Sequence, residues 1–365
     1  MENLAITKLF GGIYKGKKIL ITGHTGFKGS WLALWLTKMG ADVVGLSLKP
    51  QDELNHSDLL KLGIKSYLQD ISNLSKVKEI LQEINPDIIF HLAAQALVRY
   101  SYQEPVETFT TNIIGTINIL EAARSLPQLK AIVIVTSDKC YNNKEWYWGY
   151  RENEPMGGKD PYSASKGCAE LVTACYRESF YNTENAVLIA SARAGNVIGG
   201  GDWALDRIIS DIVKTTSKSE SVYIRYPMAT RPWQYVLEPL SGYLSIGWKL
   251  LEGKKEFAEA WNFGPNSENN VSVLDLVKEA HKVWDKINFD FDKGYHPHEA
   301  GFLMLDSSKA KKMLGWQPVW GFTRTVEKTI NWYRKFYEKN EVTSVEILKQ
   351  YITDAKQQGI EWSRT

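Results

Sequence analysis

Residues 17–40 constrain the fold more than any other stretch. KKILIT (17–22) is a short apolar run that reads as a buried strand. TGHTGFKG follows, with glycines at Gly23, Gly26 and Gly29. The apolar run SWLALWLTKM (30–39) then reads as a helix, which Gly40 stops. Strand, glycine turn and helix in that order is the setting in which glycine spacing carries meaning. Gly23 permits a tight turn, Gly26 lets the backbone approach a pyrophosphate, and Gly29 lets the helix pack close to the sheet. The helix start adds unpaired N–H groups and a partial positive charge. The unit predicts a dinucleotide cradle made of Gly23, His24, Thr25, Gly26, Phe27 and Gly29.

The following residues extend this unit into a sheet. Strands are expected at 42–48 (DVVGLSL), 65–69, 87–92 (DIIFHL) and 130–136 (KAIVIVT), with helices at 75–84 and 105–124 between them. Long connections between strands require crossovers, so the fold class is α/β, a Rossmann-type doubly wound parallel sheet. Asp70 and Ile71 follow the third strand. Asp70 could meet an adenine amino group or cap the next helix. Ala93 and Ala94 follow the fourth, where small residues let a cofactor pass close. The second strand ends in Ser47, Leu48 and Lys49 rather than in an acidic residue, which leaves NAD and NADP both open. From about residue 195 the texture becomes loop-rich and aromatic. The expected division is a dinucleotide-binding domain over 1–194 with a soft boundary, a smaller C-terminal substrate lobe over 195–339, and a peripheral tail over 340–365.

Two further motifs carry chemistry. Ser137, Asp138 and Lys139 follow the fifth strand, and Tyr162 and Lys166 sit four apart at the start of a long helix. An ammonium on the same helical face as a phenol stabilises the phenolate. That phenolate can take a proton from a sugar hydroxyl while hydride leaves the same carbon, and Ser137 can hydrogen-bond the hydroxyl. Asp138 and Lys139 add an acid and an amine. Once the oxidised carbon is a ketone, Lys139 could remove the neighbouring proton and Asp138 could protonate a departing hydroxyl, provided the site is desolvated. Trp146, Tyr147, Trp148 and Tyr150 lie between these motifs, as packing of an insertion or as a wall over the sugar.

A net charge of +2 over 365 residues gives no field that would draw nucleic acid or a membrane surface, and no apolar run is long enough to span a bilayer. Three cysteines, Cys140, Cys168 and Cys175, lack metal-ligand spacing and point to a reducing, cytoplasmic compartment. Cys168 and Cys175, seven apart on a helix, are expected in the core. His296 and His298 beside Glu299 are too few for a metal site, so no metal is expected.

The stretches TGHTGFKGSW, TSDKCY, NKEWYWGYRENEPMGGKDPYSASKG, ARAGNVIGGGDWA and RPWQYVLEPLSGY together resemble the CDP-glucose 4,6-dehydratase family of extended short-chain dehydrogenases. The G-x-x-G-x-x-G spacing is similar to theirs, and Asp138-Lys139 stands where relatives acting on dTDP-glucose carry Asp-Glu. The resemblance implies an NAD-dependent enzyme that acts on CDP-glucose in deoxysugar biosynthesis. It implies Asp138 as acid, Lys139 as base, and Tyr162, Lys166 and Ser137 for oxidation at C4. It also implies substrate contacts from Asn196, Arg207, Arg231, Gln234, Tyr235 and His298, and a homodimer or higher homo-oligomer through helices 105–124 and 164–181. The competing expectations are a sugar-nucleotide 4-epimerase and a non-catalytic NAD(P)-sensing module.

Overall fold

In a computed structural model, which describes residues 6–50, 53–183, 186–266, 270–292, 294 and 302–364, seven parallel strands form one sheet. They are β1 (Lys18–Thr22), β2 (Asp42–Ser47), β3 (Lys65–Leu68), β4 (Ile88–His91), β5 (Ala131–Val135), β6 (Leu188–Arg193) and β7 (Ala260–Asn262), in the order β7-β6-β5-β4-β1-β2-β3. All adjacent pairs run parallel. Side-chain alternation feeds two cores. Ile19, Ile21, Ile88, Phe90, Ala131 and Val133 face one, and Leu20, Ile89, Ile132 and Ile134 face the other. Strands buried on both faces explain the near-continuous apolar runs. β7 comes from beyond residue 195 yet lies beside β6, so the later half of the chain returns to the sheet.

The main helices are α1 (Phe27–Lys38), α2 (Leu74–Ile84), α3 (Gly115–Ala123), α4 (Pro161–Phe180), α5 (Leu237–Leu251), α6 (Phe322–Lys339) and α7 (Ser344–Gln357). In α2, Val77, Ile80, Leu81 and Ile84 point inward, the Asn73 side chain caps the start, and left-handed Asn85 ends it. Asp70 is therefore not that helix's cap; its carboxylate instead accepts from the Ser72 N–H at 2.8 Å.

The expected helix over 105–124 forms without interruption but carries a π turn. Pro105–Phe109 runs into a π-helical turn at Thr110–Ile114 before α3 begins. The turn buries Asn112, whose amide donates to the Gln95 carbonyl at 3.0 Å and to Ser165 Oγ at 2.8 Å, and accepts from the Gln95 N–H at 2.8 Å. A π turn at such a position suits a side chain with three partners to meet.

The C-terminal segment differs most from expectation. Residues 344–363 are not peripheral: Ile347, Leu348, Tyr351, Ile352, Ala355 and Trp362 are buried in the main core. Their composition is polar on average, but the apolar residues recur on one face. Trp362 stacks on Phe10 at 5.2 Å and meets Trp35 edge-on at 5.3 Å, so the two chain ends close over α1 together. Glu238 of α5 is buried and accepts from Val319 N–H, Trp320 N–H and the Tyr351 hydroxyl, which pins this segment to the body. Trp362→Ala is expected to lower unfolding free energy by about 3–5 kcal/mol, since it removes a fully buried indole. Urea denaturation measures this, and an unchanged midpoint would contradict the packing. Cys168 is half-buried and Cys175 exposed, so the two are not core residues; α4 turns that flank outward. Among the described residues no helix is long and apolar enough to cross a membrane.

Candidate active site

The predicted residues gather at the carboxyl ends of β1, β3, β4 and β5, the edge where open α/β sheets hold ligands. Gly23 has φ +74°, and a Cβ there would lie 2.7 Å from the Ala93 N. A Cβ on Gly29 would fall 2.0 Å from the Gly23 carbonyl oxygen, so no larger residue fits without moving the turn. Gly26 is exposed and is the N-cap of α1, with no side chain covering the first-turn N–H groups. An uncapped helix start behind an open glycine fits a dinucleotide pyrophosphate.

The neighbours of this turn are set by hydrogen bonds. Thr25 Oγ1 and Ser47 Oγ lie 2.6 Å apart, and His24 Nε2 is 2.8 Å from Ser66 Oγ. His24 is buried, which lowers its pKa, and Gly45 leaves room for its ring. Ala93 N–H donates to Thr22 Oγ1 at 3.2 Å. Ile71 packs against Gly115 below the end of β3. Phe27 reaches toward Gly199.

α4 presents Tyr162 and Lys166. Asp160 caps its start by accepting from the Ser163 N–H at 2.9 Å, and Pro161 takes the first helical position, where no N–H is needed. Tyr162 is buried, with its pKa raised by burial to about 12, against the opposing pull of a hydrogen bond with Ser137 and of the Arg207 charge. Lys166 has its ammonium 6.0 Å from the Tyr162 ring centre; burial lowers its pKa to about 8, and the Glu170 carboxylate one turn on works the other way. Burial pushes Glu170 up, but Arg193 outweighs it and leaves the carboxyl below its usual range. That buried pair is 2.7 Å apart, and Thr136 and Ser191 also donate to Glu170. The bonds tie β5 and β6 to the helix under Lys166.

The acid and amine are not a surface ion pair. Asp138 is 1% exposed, while Lys139 keeps a third of its side chain open, with Nζ 3.8 Å from Asp138 Oδ1. Ser137 Oγ donates to the same oxygen at 2.9 Å. Asp138 Oδ2 is buried with no hydrogen-bond partner among the described residues. A Cβ at Gly195 would fall 1.8 Å from that oxygen, so Gly195 makes the carboxylate's space. An unpaired buried carboxylate oxygen is costly and marks a place where a ligand hydroxyl can donate.

A family model described as "GDP-mannose 4,6 dehydratase" matches residues 20–329. The chain belongs to this family. Among relatives of the GDP-mannose 4,6 dehydratase family member described here, a CDP-glucose 4,6-dehydratase of Salmonella typhimurium is 49% identical over 328 residues, 88% of this chain and 91% of that protein. A dTDP-glucose 4,6-dehydratase of Xanthomonas campestris is 25% identical, over 86% and 92% of the two chains. Solved structures share the fold. An epimerase from Methanothermobacter thermautotrophicus aligns with TM-score 0.77 at 22% identity, covering 92% of this chain and 96% of its own. A dTDP-glucose 4,6-dehydratase from Bacillus anthracis in complex with NAD aligns with TM-score 0.72 at 20% identity, covering 88% and 97%.

The substrate-side expectations divide within this family member. Asn196 sits in a left-handed turn at φ +45°, and its Nδ2 is buried with no partner among the described residues. Arg207 is held by Asp202 at 2.5 Å and lies within reach of the Tyr162 charge. Arg231 donates to the Thr230 carbonyl at 2.9 Å. Gln234 and Tyr235 are both buried, and Gln234 Oε1 has no hydrogen-bond partner among the described residues. The Gln234 amide donates to the Gly195 and Phe263 carbonyls, and Tyr235 is fully buried against Trp320 and Trp31. Their two-residue strand pairs in parallel with Val197–Ile198. His298, like His296, lies outside the described residues. Among the described residues no group of three or more His, Cys, Asp or Glu could hold a metal ion. Of the aromatic stretch, Tyr150 is buried, but Tyr147 and Trp148 are 88% and 70% exposed.

The sequence reading missed Gly195, Tyr243 and Lys28. Lys28 lies inside the glycine fingerprint itself, and a charged residue in the first turn of an otherwise apolar helix was the available signal.

Proposed function

We propose that this protein is a CDP-glucose 4,6-dehydratase, converting CDP-D-glucose to CDP-4-dehydro-6-deoxy-D-glucose and water. The observation that carries this reading is the buried Asp138 with its adjacent Lys139, close to Tyr162, in a chain 49% identical to a CDP-glucose 4,6-dehydratase. NAD is the cofactor in this reading, taking up hydride from C4 and giving it back at C6 when bound. Gly23 to Gly29, with Asp70, Ile71, Ala93 and Ala94 along the same edge, would hold it.

The chain's own residues supply the proton chemistry. Tyr162, as phenolate beside the Lys166 ammonium, takes the proton from the C4 hydroxyl, which Ser137 orients. The C4 ketone makes the C5 proton acidic, and Lys139 removes it. Asp138 gives a proton to the C6 hydroxyl, which leaves as water. Asn196, Arg207 and Arg231 face the diphosphate, where guanidinium groups make paired hydrogen bonds. A 4-epimerase would need the Tyr162, Lys166 and Ser137 set but not a buried acid with an amine beside it.

The functional unit in this reading is a homodimer in the cytoplasm. Val106, Ile114 and Leu171 are 76%, 44% and 60% exposed on the helices that flank the site, an apolar surface suited to a second copy. CDP-, dTDP-, UDP- and GDP-glucose offered separately, with no added reductant, test the substrate. The expected result is a 4-keto sugar product from CDP-glucose at least about tenfold faster than from the others, the scale of one lost polar contact. A C4 epimer as sole product, or equal rates, would contradict the proposal.

A further inference from the structure

Tyr162, Lys166 and Glu170 stand four residues apart on α4 and are all buried, so they form one stripe along its inner face. The proposed reaction uses the first two and leaves the third without a task. Glu170 is held from two strands. Thr136 Oγ1, just past the end of β5, donates to one carboxylate oxygen. Ser191 Oγ and an Arg193 guanidinium nitrogen, both on β6, donate to the other oxygen at 2.7 Å each. Thr136 precedes Ser137 and Asp138, and Arg193 lies two residues before Gly195, which makes the space for Asp138. Arg193 is fixed in turn, donating to the Tyr141 hydroxyl at 2.6 Å and to the Glu152 carbonyl at 2.9 Å. Replacing a buried ion pair with apolar residues often leaves stability unchanged or raises it, so packing alone gives no reason for charges here.

The place of the pair beneath Lys166 supplies one. Burial lowers the Lys166 pKa to about 8, and Glu170 opposes that fall. Among the described residues Glu170 is the one carboxylate that acts on this lysine. The other titratable groups around Lys166 bring no anion at neutral pH. Burial keeps Tyr162, Cys140 and His91 uncharged, and Lys28 can add only positive charge. Arg193, Arg177 and Cys140 are the groups that face Glu170 itself. We propose that Glu170 is a positioning residue for the oxidation step: from its fixed place one turn beyond Lys166 it keeps that lysine an ammonium, and through it makes the Tyr162 phenolate available. This inference rests on the reading of Tyr162 and Lys166 as the proton-accepting pair. In that step the C4 hydroxyl proton goes to Tyr162, the C4–H bond gives its hydrogen and two electrons to the nicotinamide, and the alcohol becomes a ketone. A neutral Lys166 would leave the phenolate without its counter-charge.

The test reads the lysine directly. Ligand-free protein carrying ¹³C at the lysine Cε is titrated by NMR, and the Lys166 signal is identified by its loss in Lys166→Met. The ammonium is present below its midpoint and lost as pH rises through it, at about 8 in the wild type. Glu170→Gln is expected to lower that midpoint by about one pH unit, a tenfold change in the proton equilibrium, and to lower the melting temperature because Arg193 loses its partner. The pair Glu170→Gln/Arg193→Met should lower the midpoint as far while restoring the melting temperature. Glu170→Asp should keep the midpoint and lose stability, since the charge remains and its hydrogen bonds are stretched. A wild-type midpoint in the double variant would make the pair a strut between β6 and α4 and overturn the inference. A midpoint that follows the melting temperature across all three would overturn it too. Single-turnover formation of reduced dinucleotide from CDP-glucose should fail about one pH unit earlier on the alkaline side in both Gln variants. A wild-type protein that formed none would sink the reading of the reaction, while the NMR midpoint would still decide what Glu170 does to Lys166.

Discussion

Lys139→Met is expected to stop loss of water while leaving oxidation at C4 in place. The Lys139 side chain is partly open, so methionine can take its space, and Ser137 still donates to the Asp138 carboxyl at 2.9 Å. Removing a general base costs about 10²- to 10⁴-fold in the step it serves. C5 proton removal is that step, and C4 oxidation uses Tyr162 at the start of α4. The variant should therefore form reduced dinucleotide and 4-keto sugar in about one equivalent per site, with the 6-hydroxyl retained. Solvent deuterium should no longer enter C5. Full turnover, or undiminished exchange at C5, would remove Lys139 as the base.

Tyr162→Phe is expected to abolish both halves together. The phenol is buried and hydrogen-bonds with Ser137. Its high pKa, about 12 by burial, means that the ligand-free site holds a neutral phenol. The Lys166 ammonium, together with a positive ring, has to lower it before it can act. Without the hydroxyl neither reduced dinucleotide nor keto sugar should form, with a fall of about 10²- to 10⁴-fold in turnover. Affinity for CDP-glucose should change little, because Asn196, Arg207 and Arg231 are untouched. Loss of binding with an unchanged rate at saturation would assign Tyr162 to recognition instead.

The cradle was legible because each glycine has a local reason: φ at Gly23, openness at Gly26, and contact with the turn at Gly29. The sheet was legible because strands buried on both faces read as unbroken apolar runs. Tyr162 and Lys166 were legible because one helical turn places them together. The burial of Asp138 was not, because its space is made by Gly195, far along the chain. The pairing of Gln234–Tyr235 with Val197–Ile198 was not legible, because no local pattern announces it. The C-terminal helix looked peripheral because its average polarity hides one apolar face, which sets Tyr351 against Trp35. Lys28 was overlooked because a lysine on a helix is ordinarily a solvated residue, and only the packing of α1 against Tyr243 turns it inward.

CDP-glucose carrying deuterium at C4, turned over in ordinary water, tests the central claim most directly. The account predicts that the deuterium appears at C6 of the 6-deoxy product and that a solvent proton occupies C5. Deuterium retained at C4 of an epimer, or lost to water, would contradict it.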